Sequence, residues 1–349
     1  MRRRQMIAAH LAAFALFALG GAGAASGQQP IKAKIGQATP ALSFLPLYAG
    51  RALETFAAEG VDLQWSSIPG GDPVALAALD SGDIDFAAVG AETALQAIAK
   101  GQPFQLIYSL MSKMSLELVA SNAFLTRASV KPGDPLEKRI RALKDATLGV
   151  SAVRGAQDRA ARWLIGQGGL DPARDLKVAL IGPPPAIRAA FEKGAIDAFM
   201  LSPPEGIIAE RADTGRILIR LGDEFSDLKQ LHFLVLVVKK PLGGGRLEAA
   251  RRVARAMIAA SERLLADPKG VGGEIHKRFF ARADGDVILA AVESLKDGIA
   301  TKGRMSPRSI EFLLRFATQS GVEFEGNLEP QRAEGGLWSN AVVDAASMR

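Results

Sequence analysis

Gly82-Asp83-Ile84-Asp85-Phe86-Ala87-Ala88-Val89-Gly90 and Gly194-Ala195-Ile196-Asp197-Ala198-Phe199-Met200-Leu201-Ser202 repeat one instruction. In each, a glycine ends a helical stretch, a Gly-x-Ile-Asp step opens a short apolar strand, and the strand stops at a loop rich in small and acidic residues. The loops are Gly90-Ala91-Glu92-Thr93 and Ser202-Pro203-Pro204-Glu205. Working outward, Gly36 to Gly149 and Ile68 to Ile181 are both steps of 113 residues, while Gly82 to Gly194, Ile84 to Ile196 and Asp85 to Asp197 are steps of 112. Three strand ends in register across two half-chains point to a duplicated scaffold.

In the first half, Ile31 to Gly36 alternates as a strand and enters Gln37 to Ser43; a helix is expected from Leu45 to Ala58, closed by Gly60. Val61 to Ile68 is a second strand running into Pro69-Gly70-Gly71-Asp72-Pro73, followed by a helix from Val74 to Ser81. In the second half, Ala146 to Val150 enters Ser151 to Gly155 ahead of a helix to Gln167, and Leu176 to Ile181 enters Gly182-Pro183-Pro184-Pro185. Strands alternating with helices of this length imply an α/β fold with parallel sheets. Leu116 to Ala120 and Phe233 to Val238 bracket the second half and are expected to be the two crossing segments of a hinge. After Pro241, helices are expected at 246–266, 272–280, 287–300 and 307–320, returning to cover the first lobe, with a short one near 340–348.

The amino terminus speaks to destination. Arg2, Arg3 and Arg4 precede an apolar run from Met6 to Leu19, and Ala22-Gly23-Ala24 offers a processing site, the pattern of a secretory signal peptide. The run is shorter than the roughly 20 residues that span a bilayer. Arg3-Arg4 also fits a twin-arginine signal weakly. A periplasmic protein is the expectation. The organisation expected is a signal peptide at 1–27, the first part of lobe 1 at 28–118, lobe 2 at 119–232, the return of lobe 1 at 233–325 and a tail at 326–349.

There is no cysteine, which removes disulfides, thiolate metal sites and a lipid-modified cysteine. The net charge is +6, and Arg2, Arg3 and Arg4 account for half of it; aromatics are 6% and no basic block is interleaved with them. Nucleic-acid binding gains no support. The histidines are His10, His232 and His276, too few and too scattered for a transition-metal centre. No nucleophile elbow or phosphate loop is present. Neither a catalytic site, a metal nor a cofactor is expected.

In an open parallel α/β sheet, ligands bind outside the carboxyl ends of the strands, where helix amino termini present unpaired N–H groups. Two such sheets facing each other would set six loops around one cleft able to grip a small polar molecule by hinge closure.

From Ile35 to Leu110 the sequence resembles the nitrate/sulfonate/taurine and thiamine-pyrimidine-precursor family of ABC-transporter substrate-binding proteins. The stretches that carry it are Phe44 to Ala49, Glu59 to Leu63, Ala78 to Asp85 and Val89-Gly90, joined in the second half by Leu143 to Val150 and Ala190 to Asp197. The likeness covers about residues 31 to 240. It implies a type II periplasmic binding protein, with two doubly wound lobes joined by a two-segment hinge. It also implies capture of a small polar or anionic organic molecule and delivery to an ABC permease in the inner membrane by a monomer. Mapping the family's cleft loops onto this chain singles out Thr39, Ser43 and Phe44; Gly70, Gly71 and Asp72; and Gly90, Glu92 and Thr93. In the second lobe it singles out Ser151, Arg154, Gly155 and Gln157, then Ser202 and Glu205. Phe44 is read either as stacking on the ligand or as core. Asp72 is read as a ligand contact or a cap of its own helix, and Glu92 as contact or cap. Arg154 is a guanidinium fork for a carboxylate, sulfonate or phosphate, or a solvated rim residue. Two alternatives stand beside import: a receptor signalling ligand occupancy to a membrane partner, and an enzyme like the eukaryotic pyrimidine synthases, whose cysteine-rich motif is absent.

Overall fold

In the computed structural model, which describes residues 29–151, 155–324, 328 and 332–348, ten strands form two five-stranded sheets. The strands are β1 (Ile31–Gln37), β2 (Val61–Ser67), β3 (Phe86–Gly90), β4 (Phe104–Met111), β5 (Glu117–Ser121), β6 (Thr147–Val150), β7 (Lys177–Leu180), β8 (Ala198–Leu201), β9 (Gly215–Arg220) and β10 (Leu234–Lys239). The first sheet runs β2-β1-β3-β10-β4 and the second β7-β6-β8-β5-β9. β1 pairs parallel with β2 and β3, as β6 does with β7 and β8. β10 and β5 are antiparallel to both of their neighbours. The amino-terminal signal and Arg154 lie outside the described residues.

The repeat has a physical counterpart at the base of each sheet. Asp85 accepts a hydrogen bond from the Lys34 N–H at 2.8 Å and returns its own N–H to the Lys34 carbonyl at 3.0 Å. Asp197 makes the same closed ring with Thr147, at 2.9 and 2.8 Å. Each aspartate thus fixes the third strand of its half against the first. Both halves also need a glycine where the apolar layer presses on the first strand. A Cβ on Gly36 would stand 2.6 Å from the Ile84 Cδ1 and closer still to Ile68. On Gly149 it would stand 2.5 Å from the Ile196 Cδ1 and 3.4 Å from Ile181.

The two runs expected to cross between the halves do not cross. Leu116–Ala120 falls largely in β5 and Phe233–Val238 in β10, the fourth strand of its sheet in each case, wholly buried apart from Phe233 and the last residue of β10. A strand covered on both faces reads as a continuous apolar run, which says nothing about which sheet it joins. The crossings come just before them, at 112–116 and 221–233. They lie side by side: the Met114 N–H donates to the Leu228 carbonyl at 2.9 Å, and Lys113 pairs with Asp223.

The helix expected over 45–58 breaks in two, Leu45–Ala52 and Thr55–Ala58, at Glu54, whose φ is +58°. The kink sets Phe56 against Gly50, where a Cβ would meet the ring at 2.5 Å, and lets Thr55 Oγ1 donate to the buried Ala256 carbonyl at 2.8 Å. Helices Gly244–Ala266, Pro268–Phe279 and Gly285–Leu295 lie over the first sheet, where Val253, Met257 and Ile275 share a core with Ile35, Phe86 and Leu236. The helix Pro307–Gln319 departs from this pattern. Its Phe316 packs on Trp163 of the second half with ring centres 5.3 Å apart, and Trp163 Nε1 donates to Gln319 at 3.1 Å. Residues 332–348 of the tail pack on the fold: Leu337 and Ser339 bond both backbone groups of Leu106, covering the open edge of β4. From Ile31 onward the chain forms one compact unit. No helix among the described residues is long and apolar enough to cross a membrane.

Candidate functional site

All six loops at the carboxyl ends of β1, β2, β3, β6, β7 and β8 are short, and what each does follows from its residues. At the end of β1, Gln37 is wholly buried. Its amide donates to the Thr39 carbonyl at 2.5 Å, and its carbonyl accepts from Trp65 Nε1 at 3.1 Å. This ties the first loop to β2. Thr39 is exposed, Ser43 is buried, and Phe44 sits in the apolar core with Leu45 and Leu47. Of the two readings of Phe44, core packing is the one realised, because its position just ahead of the Leu45–Ala52 helix turns it inward.

Gly70 and Gly71 have φ of +104° and +79°, a backbone that side chains disfavour, so the second loop depends on both glycines. They deliver Asp72 to an unforeseen place. Its carboxylate does not cap its own helix, Asp72–Ser81, whose amino-terminal cap is Gly71. It reaches across to the next helix, Ala91–Ala99, and accepts from the Gly90 N–H at 3.2 Å and the Thr93 hydroxyl at 3.1 Å. Asp72 therefore caps its neighbour and locks the second and third loops together. Two residues past Gly90, Glu92 points away from solvent toward the second half, where Arg159 of the helix Ala156–Gln167 meets it in an ion pair. Burial pushes the Asp72 and Glu92 carboxyls above their ordinary range; the Gly90 and Thr93 hydrogen bonds, and then the Arg159 charge, pull Asp72 back, while Arg159 pulls Glu92 back. Glu92 thus depends on a cation supplied from across the gap.

In the second half, Gln157 folds back so that its side-chain carbonyl accepts from the Ser151 N–H at 3.2 Å, and Gly155 caps the helix that carries Arg159. The Ser202 hydroxyl bonds that of Ser115 at 2.8 Å, which joins the third loop to the first crossing. Glu205 accepts from Arg188 at 2.8 Å, and burial raises its carboxyl while Arg188 lowers it. The structure brings Asp72, Gly90, Glu92 and Thr93 together, and it gives both Glu92 and Glu205 an arginine. Neither arginine stood out in the sequence. Arg159 lies one helical turn past Gly155, and only the rotation of that helix aims it at Glu92. Beside this pair, Gln96, Asp158, Arg162 and Glu323 line a pocket of about 750 Å³ between the halves.

No group of three or more His, Asp or Glu among the described residues could hold a metal ion. His232 is buried; its Nε2 accepts from the Ser306 N–H at 3.3 Å, so its Nδ1 carries the proton toward the Ser109 hydroxyl at 2.9 Å. Burial depresses it to about 4, so it is neutral near pH 7 and acts as a strut at the second crossing.

Residues 27–271 match the model of the NMT1-like family. Among curated relatives, a provisionally named binding protein, YtlA of Bacillus subtilis (strain 168), is 24% identical over 203 residues; the match spans 58% of this chain and 58% of the relative. Among solved structures, a ligand-binding component of an ABC-type import system from Staphylococcus aureus, with zinc bound, superposes with a TM-score of 0.71 at 17% identity. It covers 92% of this chain and 100% of that one. The periplasmic nitrate-binding protein NrtA from Synechocystis PCC 6803 superposes at 0.66 and 16% identity, over 90% and 85% of the two chains. These likenesses show the periplasmic binding protein fold, and both neighbours are binding proteins rather than enzymes.

Proposed function

This chain belongs to the NMT1-like family, and from that premise we propose that it is an exported solute receptor of the periplasm. It takes up one small polar or anionic organic molecule in the gap between its halves and presents it, as a monomer, to an ABC permease. The observation that carries the reading is the Glu92–Arg159 pair: two carboxylates at the strand ends of one sheet face a guanidinium at the strand ends of the other. Among the described residues two side-by-side crossings carry the chain between strands of the two sheets, so the gap can open by rotation about 112–116 and 221–233 while each sheet stays intact, with the Phe316–Trp163 contact parting as it does.

In this mechanism the pair is the closing contact. A solute that bonds both sets of loops adds contacts available only in the closed arrangement, and so shifts the population toward it. The amino-terminal end of the Ala156–Gln167 helix suits an oxyanion, as does a guanidinium at Arg154. The basic start and apolar run of residues 1–27 serve as the export signal. The direct test is a thermal-shift screen of the purified mature chain against sulfonates, nitrate, aromatic carboxylates, pyrimidines and flavins, followed by small-angle scattering of any binder. A true ligand raises the melting temperature by mass action and shrinks the radius of gyration. A ligand that binds one-to-one with no compaction would defeat hinge closure, and a chain that turns over a bound compound would defeat the receptor reading.

A further inference from the structure

The helix Pro307–Gln319, which lies past the stretch that matches the family, reaches from one half to the other. Its root is fixed in the first half. The buried Asn340 side chain bonds both backbone groups of Met305 at 2.9 Å, and the Ser306 N–H donates to His232 at 3.3 Å. The Ser306 hydroxyl caps the helix through the Ser309 N–H at 3.1 Å. Ile310 and Leu313 then share a core with Leu95 and Ile98 of the helix Ala91–Ala99. The tip rests on the second half, and lightly. Phe316 meets Trp163 with ring centres 5.3 Å apart, and Gln319 accepts from Trp163 Nε1 at 3.1 Å. Between root and tip, Arg315 pairs with Asp227 of the second crossing at 2.9 Å, both side chains about half exposed. Trp163 is backed by Phe225, edge-on at 4.7 Å, so it keeps its orientation without the helix.

We propose that Pro307–Gln319 is a latch: rooted in one half, it closes on Trp163 of the other and holds the halves together before any solute arrives. The asymmetry of its two ends decides which one yields. Several hydrogen bonds and a shared core hold the root, whereas one ring contact and one hydrogen bond seat the tip, so parting the halves lifts the tip alone. Trp163 lies one helical turn past Arg159, so one face of Ala156–Gln167 meets both Glu92 at the loops and the latch behind them. Seating the latch and forming the ion pair are thus one movement of that helix. The latch goes beyond the receptor reading but rests on its premise that the halves part. A closed population present beforehand raises the apparent affinity for whatever solute binds the closed form, and loosening the latch lowers it in proportion.

The chain has no cysteine, so two introduced ones take spin labels cleanly. Ala77→Cys and Ala189→Cys suit this: they are exposed, 112 residues apart, and lie on the corresponding helices Asp72–Ser81 and Pro184–Glu192 of the two halves. Pulsed electron resonance on the mature, solute-free chain reads the distance between them. Phe316→Ala removes the ring from the latch, and Gln319→Ala, at an exposed position, removes only the acceptor for Trp163. Circular dichroism checks that both fold, and Gln319→Ala keeps the test standing if Phe316→Ala does not. The expected result is one dominant short distance in the unsubstituted latch. Phe316→Ala should shift the ratio of long to short distances about tenfold, and Gln319→Ala by less. Distances unmoved in the folded latch variants overturn the latch. If Arg159→Ala lengthens the distance in that case, the halves still part and the receptor reading stands without the latch. If it also leaves one narrow distance, the parting of the halves falls with it.

Discussion

Glu92 and Arg159 meet across the gap between the two sheets with their side chains only 11% and 13% exposed. A buried pair is weak evidence of net stability, because desolvation offsets the Coulombic gain. Removing one partner is another matter. Arg159→Ala leaves Glu92 and Asp72 buried near each other with no cation between them. A loss of about 3 kcal/mol in denaturant unfolding is expected, the low end for a broken buried pair. The radius of gyration should grow as the halves separate. Adding Glu92→Gln to that variant should recover part of the loss. If the double variant is no more stable than Arg159→Ala alone, the pair is not coupled.

Asp72 yields a sharper local prediction. Asp72→Ala strips the acceptor from the Gly90 N–H and the Thr93 hydroxyl together. A cost of about 2 kcal/mol is expected, within what losing a cap removes. Thr93→Val, which deletes one of the two bonds, should cost less. Hydrogen exchange at the Gly90 amide is the specific readout; it should accelerate in Asp72→Ala and stay near wild type in Thr93→Val.

The duplication predicts matched responses in the two halves. Gly36→Ala and Gly149→Ala each drive a methyl into a pair of isoleucines, with about 1 to 3 kcal/mol lost to overpacking in each. Asp85→Ala and Asp197→Ala each orphan a strand N–H, with about 1 to 2 kcal/mol lost. Asp197 also holds Arg127 at 2.8 Å, but that arginine is largely exposed and should add little. Urea unfolding of the four variants would expose any asymmetry, and a half that tolerated its substitutions would break the equivalence.

What the sequence disclosed follows from where information is local. Gly-x-Ile-Asp at a fixed step reports a strand start, since the aspartate bonds the strand beside it and the glycine ends the helix before it. β5 and β10 read as apolar runs, but their partners lie far along the chain, from about 80 residues for β5 to well over a hundred for β10, so the sequence alone reads them as crossings. β4 and β9 drew no strand expectation at all. At the site, the loops were placed correctly as strand ends, while side-chain destinations were not. Asp72 looks like a cap for the helix it begins and caps another. Phe44 sits beside the loops and points into the core. Arg159 and Arg188 lie inside helices, where only the angle of rotation decides whether they face water or the opposite half.

The crossings carry two buried titratable groups whose pH effects oppose each other. Glu117 opens β5 at the first crossing, 2% exposed, with Arg220 bonded at 3.0 Å and Glu210 and Asp223 nearby. Burial raises its carboxyl to about 7 against the Arg220 attraction. Between pH 4.5 and 7 the folded chain therefore holds a proton that the unfolded chain has lost, and stability contributed by Glu117 falls as pH rises, by about 3 kcal/mol in all. His232, at the second crossing, goes the other way. With its value depressed to about 4, the folded chain refuses a proton that the unfolded chain binds below pH 6.5. Its contribution therefore rises with pH across 4 to 6.5, by a similar amount. The wild-type excess over Glu117→Gln should thus decline from pH 4.5 to 7.5, and the wild-type excess over His232→Asn should grow from pH 4 to 6.5. For the double variant the two slopes should largely cancel up to about pH 6. Denaturant unfolding at five or six pH values reads all three differences, and a flat Glu117→Gln difference would mean that Glu117 is ionised at its crossing throughout.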